Sequence, residues 1–139
     1  MLVKEVMTKN VVTIDKEKTV FEAAELYKNL KIGCLVVKEN EECIGIVTER
    51  DIIERTICEK KSPEQTKVEE IMSTNIVTIH SLEKLEKAVE TMAKNGVKKL
   101  PVVKNEQIVG IITATDISKA KPDLSKRFME TWVRRAWDD

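Results

Sequence analysis

The chain has 139 residues, enough for one domain of ordinary size, and its 24 basic and 24 acidic residues cancel, which removes any global electrostatic case for nucleic acid or an anionic membrane. Cys34, Cys43 and Cys58 are odd in number, show no Cys-x-x-Cys spacing and are joined by the single histidine His80, so no metal site is expected and Cys34 and Cys43 read as small buried side chains within strands. No signal peptide is read and no apolar run approaches the ~20 residues of a membrane span, so a reducing, cytoplasmic location is expected.

Taken in order, Met1 to Met7 reads as a short helical or turn segment, and the β-branched run Val11-Val12-Thr13-Ile14 as extended. Thr19 followed by Glu22 is a capping box, opening a helix with Val20, Ala23, Ala24 and Tyr27 on its apolar face. Leu35 to Val37 is a strand, Lys38 to Glu42 a polar turn, and Cys43 to Val47 the strand that pairs back. A second helix runs from Asp51 to about Cys58 with Ile52 and Ile53 facing inward. Residues 59–67, with Ser62-Pro63, form a short polar linker. Ile76 to Ile79 is again extended. Leu85, Ala88, Val89 and Met92 mark a helix that Asn95-Gly96 ends. Leu100 to Val103 is the next strand, with Pro101 expected at an edge or strand start, and Gln107 to Ile112 pairs with it.

The second half is a copy of the first. Gly45-Ile46-Val47-Thr48-Glu49-Arg50-Asp51-Ile52 returns as Gly110-Ile111-Ile112-Thr113-Ala114-Thr115-Asp116-Ile117. The shift that carries Asp51 onto Asp116 lays Val3 to Thr56 over Val68 to Lys121 without a gap, with roughly a third of the positions identical. One copy alone is too small to bury much surface, so the two are expected to share a core. Each copy reads β-α-β-β-α, and the chain as an α+β fold of two such repeats packed with pseudo-two-fold symmetry. Its divisions are a first repeat at 2–58, the linker at 59–67, a second repeat at 68–121 and a helical tail at 122–139.

These features, with the paired openings Met7-Thr8-Lys9-Asn10-Val11-Val12-Thr13-Ile14 and Met72-Ser73-Thr74-Asn75-Ile76-Val77-Thr78-Ile79 and with Leu100-Pro101-Val102-Val103, resemble a tandem pair of cystathionine β-synthase (CBS) domains, a stand-alone Bateman module. The resemblance covers about Leu2 to Lys121. It implies a non-enzymatic regulatory module that binds AMP, ADP, ATP or a relative of S-adenosylmethionine in clefts between the two repeats and signals by a change of shape. It also implies a homodimer acting on an effector protein of unknown identity. No obligatory cofactor is implied; the adenine nucleotide is a regulatory ligand.

In the repeated motif the carboxylate can accept hydrogen bonds from two vicinal ribose hydroxyls, and the threonine at the helix start can meet a phosphate beside free amides. By similarity Asp51 and Asp116 are assigned to ribose, and Thr48 and Thr113 to phosphate or ribose. The plain alternative is that Thr-x-x-Asp is a capping box and nothing more. Arg50 could pair with a phosphate in the first copy. Thr115 takes its place in the second, where Lys98 and Lys99 are expected to supply the charge. The adenine is placed near Val12-Thr13 or Val77-Thr78, with Ile32 and Val97 as walls. His80 reads as a surface residue, and no nucleophile–base pair is evident, so catalysis is not expected.

Beyond the repeats, Pro122-Asp123 starts a helix with Leu124, Phe128, Trp132 and Ala136 at i+4 spacing, an apolar stripe that suits either its own module or a partner subunit. Arg127, Arg134 and Arg135 are offset by Glu130, Asp138 and Asp139, against nucleic acid. The competing reading for the whole chain is a dimerisation or assembly module with vestigial nucleotide sites.

Overall fold

The computed structural model of the chain describes residues 1–124 together with Lys126 and Glu130. Its elements run α1 (Val3–Val6), β1 (Val12–Asp15), α2 (Val20–Leu30), β2 (Leu35–Glu39), β3 (Glu42–Val47) and α3 (Glu49–Ile52), which a π-helical turn over Ile53–Ile57 continues. The plan repeats as α4 (Val68–Ile71), β4 (Ile79–His80), α5 (Leu85–Asn95), β5 (Lys99–Lys104), β6 (Gln107–Thr113) and α6 (Ala114–Ala120). The fold is α+β, with two three-stranded sheets of order β1-β2-β3 and β4-β5-β6. In each sheet the first pair is parallel and the second antiparallel. Parallel strands need a long crossover, which α2 and α5 supply, whereas a two-residue turn suffices for the antiparallel pair.

Two compact units result, and neither is a contiguous sequence repeat. One comprises residues 11–76; the other joins residues 1–10 to the described residues from Val77 onward. The short helix that opens each repeat therefore completes the unit built around the other repeat's sheet.

In the first-sheet unit, Ile14, Val20, Ala23, Leu35, Val37 and Val47 pack with Val68 and Ile71 of α4. The unpaired amides at the start of α4 are met by the chain, since Val68 and Glu69 donate to the carbonyls of Lys18 (2.8 Å) and Lys16 (3.3 Å). Ser73 then exchanges two backbone hydrogen bonds with Ile46, at 2.8 and 3.0 Å. Gly45 permits this approach: a Cβ there would lie 2.6 Å from Met72 Sδ and 3.1 Å from the Ser73 carbonyl oxygen.

The second-sheet unit is built alike. Val3 of α1 and Leu124 close a core of Ile79, Leu85, Ala88, Met92, Leu100, Val102, Ile112 and Ile117. Val3 and Lys4 donate to Glu83 (2.8 Å) and Ser81 (3.0 Å), and Thr8 exchanges two bonds with Ile111, at 2.8 and 2.9 Å. A Cβ on Gly110 would meet Met7 Sδ at 2.6 Å and the Thr8 carbonyl oxygen at 2.9 Å.

Several local features differ from the sequence reading. The turn expected over Lys38 to Glu42 is only Asn40-Glu41, with both residues at positive φ, as are Asn105-Glu106 in the second hairpin. This primed turn matches the right-handed twist of the strands it joins. Pro101 is in the central strand, not at an edge or strand start. It has no N–H to give a parallel neighbour, and β4 pairs only with Val102 and Val103; Ile76 to Thr78, expected to be extended strand, lie outside the ladder. Ile53 is exposed rather than inward. The π turn closes with Cys58 N–H on the Ile53 carbonyl, which buries Asp51 and Thr56 and leaves Ile53 and Ile57 outside. Cys34 is buried just before β2, while Cys43 is exposed, because it lies at the turn end of an edge strand that overhangs the core.

The segment expected as a linker folds back on α2, whose first two amides donate to Thr66 (2.8 Å) and Pro63 (3.0 Å). Pro122 to Leu124 is helical. Phe128, Trp132, Ala136 and the arginines of the tail lie outside the described residues.

Candidate functional site

Sheet topology gathers the candidate residues at one end of each sheet. In the first, Val12 pairs with Leu35 and Leu35 with Val47, so the start of β1, the start of β2 and the end of β3 share one row. Val12 and Thr13 lie on that row and the next, Ile32 just ahead of β2, and Thr48 to Asp51 just after β3. Val12 and Ile32 pack partly against the core, and Thr13 is exposed. Tyr27 fixes the end of β3 by donating its hydroxyl to the Val47 carbonyl at 2.5 Å. Burial pushes this phenol above the ordinary tyrosine range, and Cys34, Glu49 and Asp51 add to the effect.

The second sheet does the same with Val97, Lys98 and Lys99 before or at the start of β5 and Thr113 at the end of β6. Lys99 pairs with Thr113, and Ala114 donates its amide to the Lys98 carbonyl at 2.9 Å. Both lysines are thus beside the Thr113–Asp116 motif. Val77 and Val97 pack partly against that core, and Thr78 is exposed.

Both motifs form complete capping boxes. Thr48 Oγ accepts the Asp51 amide at 3.1 Å and Asp51 Oδ2 accepts the Thr48 amide at 2.9 Å; the same bonds in the second copy measure 3.0 and 3.0 Å. A box uses only part of a carboxylate, which has about four acceptor positions.

The two aspartates differ in what fills the rest. Asp51 is buried; Ser73 Oγ lies 3.1 and 3.3 Å from its two oxygens, and Arg55 Nε stands 3.8 Å from Oδ1. Asp116 is half-buried, and the Thr113 amide is its hydrogen-bond partner among the described residues.

A protein-family model for the CBS domain matches the chain twice, at residues 3–57 and 68–123. The chain belongs to the CBS-domain family. It is 36% identical over 116 residues to the CBS domain-containing protein YhcV of Bacillus subtilis, covering 84% of this chain and 82% of that protein. It is 34% identical over 124 residues to the uncharacterized protein MK0525 of Methanopyrus kandleri, covering 88% of this chain but spanning only 63% of that protein. Among solved structures, the CBS domain pair of protein MJ0100, crystallised with 5′-methylthioadenosine and S-adenosyl-L-methionine, superposes with a TM-score of 0.78 at 30% identity, over 88% of this chain and 97% of that one.

Within this CBS pair, Ser73 and Arg55 stand beside Asp51 and were not among the candidate residues read from the sequence. Arg55 follows Asp51 at i+4, a helical spacing that signals a possible ion pair. Ser73 is distant in sequence and carried no such signal. Arg50 is 82% exposed, with its Nε donating to Glu54 at 2.9 Å. His80 is exposed, and its Nδ1 accepts the Leu82 amide. Among the described residues no group of three or more His, Cys, Asp or Glu could hold a metal ion, and no helix is long and apolar enough to cross a membrane.

Proposed function

We propose that this CBS pair is a regulatory, non-enzymatic module that binds an adenosine-containing ligand, of the AMP, ADP, ATP or S-adenosylmethionine type. The observation that carries the reading is the Asp116 carboxylate. It stands half-buried at a strand–helix junction, holds acceptor capacity beyond its cap, and is flanked by Lys98 and Lys99. Such a carboxylate suits two ribose hydroxyls and the lysines suit phosphate. The adenosyl ligands of the similar MJ0100 pair support the same class. The adenine would meet Val77, Thr78 and Val97; in the first copy the corresponding groups are Val12, Thr13 and Ile32, with Thr48, Arg50 and Asp51. The ligand is a signal rather than a cofactor. It acts by binding two arrangements of the module unequally, and an effector protein reads the difference. A homodimer is part of this reading and is checked by light scattering.

Isothermal titration calorimetry against the four ligands tests it. Saturable heat with at least one, lost in Asp116→Ala, is the expected result. Absence of heat with all four, with magnesium present and at two temperatures, would favour the second reading, an assembly module with vestigial sites. What speaks for that reading is that both Thr-x-x-Asp pairs are already complete helix caps.

A further inference from the structure

We infer that Ser73 stands in for a ligand hydroxyl at Asp51, so that the chain closes its own first Thr-x-x-Asp motif and takes one nucleoside ligand per chain, at the second. This rests on the reading of Asp116 as a ligand carboxylate.

A ribose diol would place two hydroxyl donors on the carboxylate, and at Asp51 the Ser73 hydroxyl already fills one of those two places on a side chain with little room for another. Thr48 N–H occupies Oδ2 at 2.9 Å, and the Ser73 hydroxyl lies across both oxygens at 3.1 and 3.3 Å. The Asp51 side chain is only 9% exposed. Ser73 is also held in place independently of its hydroxyl. Its backbone exchanges two hydrogen bonds with Ile46, and Arg55 Nη1 donates to the carbonyls of Ile71 and Met72, each at 3.1 Å. A tethered hydroxyl competes at high effective concentration, so a free ligand must displace a donor that the chain returns at once.

The second copy keeps the backbone bridge, from Thr8 to Ile111, without the latch. Thr8 is exposed and its hydroxyl has no hydrogen-bond partner among the described residues; Ala120 takes the place of Arg55.

The test is calorimetric stoichiometry with AMP, ADP, ATP and S-adenosylmethionine on the whole chain, Ser73→Ala, and Ser73→Ala combined with Asp51→Asn. One ligand per wild-type chain is expected, two for Ser73→Ala, and one again for the double variant. Circular dichroism checks that each is folded, and Ser73→Gly serves if the alanine variant is not. Two ligands on the wild type, or one on a folded Ser73→Ala and Ser73→Gly, overturns the inference. Silence in the wild type with binding in Ser73→Ala keeps the latch and overturns the Asp116 reading. Silence in every variant overturns both.

Discussion

Asp51 and Asp116 occupy the same place in a duplicated sequence, and their surroundings separate them. Truncating the buried Asp51 leaves the half-buried Thr48 amide and Ser73 hydroxyl without their acceptor, at a cost of about 1–3 kcal/mol. Asp116→Ala removes one cap bond from a half-exposed site and is expected to cost about 1 kcal/mol or less. Urea denaturation of the two variants should give this order, and equal losses would mean that Ser73 adds nothing to Asp51. Thr56 gives the opposite case. Its hydroxyl is fully buried with no hydrogen-bond partner among the described residues, so the nearly isosteric Thr56→Val should raise stability by about 1 kcal/mol. A lower melting temperature would count against the unmet hydroxyl. Thr and Asp at i, i+3 announced the caps in the sequence. That Asp51 also meets a serine 22 residues away was not legible, because nothing local encodes it.

At the scale of elements, helix α2 was readable from its capping box and apolar spacing, and α5 from its spacing and the Gly96 stop, because those signals act within one or two turns. The extent of β4 was not. It depends on whether β5 offers a donor, and Pro101 withholds one. The repeated glycines are explained at this scale as well, since each is where the leader of the other repeat crosses its strand. At Gly45 a new Cβ meets the flexible Met72 side chain first and a backbone oxygen at 3.1 Å, while at Gly110 the backbone oxygen is nearer, at 2.9 Å. Gly110→Ala should therefore destabilise by about 1–3 kcal/mol and Gly45→Ala by less. Thermal denaturation showing the reverse order would mean that the Met7–Thr8 segment yields more easily than its paired hydrogen bonds with Ile111 imply.

For the whole molecule, the exchange of leader helices makes an uncommon forecast. Residues 1–10 open the first repeat but finish the second-sheet unit, where Val3 is fully buried. Deleting them should open the second repeat and spare the first. Hydrogen exchange is expected to show lost protection in β5 and β6 with β2 and β3 unchanged; loss confined to β1–β3 would contradict the crossed arrangement. Here a truncation acts on the repeat that is distant in sequence, because the cavity left by Val3 and the unpaired Thr8–Ile111 bridge both lie in that repeat's core.

By itself the sequence determined the duplication, the order of strands and helices within each copy, the caps and the CBS family, since periodicity, capping and turn chemistry are local and were written twice. Tertiary structure decided which leader helix belongs to which sheet, where Pro101 cuts a strand short, and which aspartate meets a serine from far along the chain. Those outcomes turn on groups brought together from far along the chain, and two copies of one pattern diverge as soon as a single distant neighbour, Ser73, reaches one of the two aspartates.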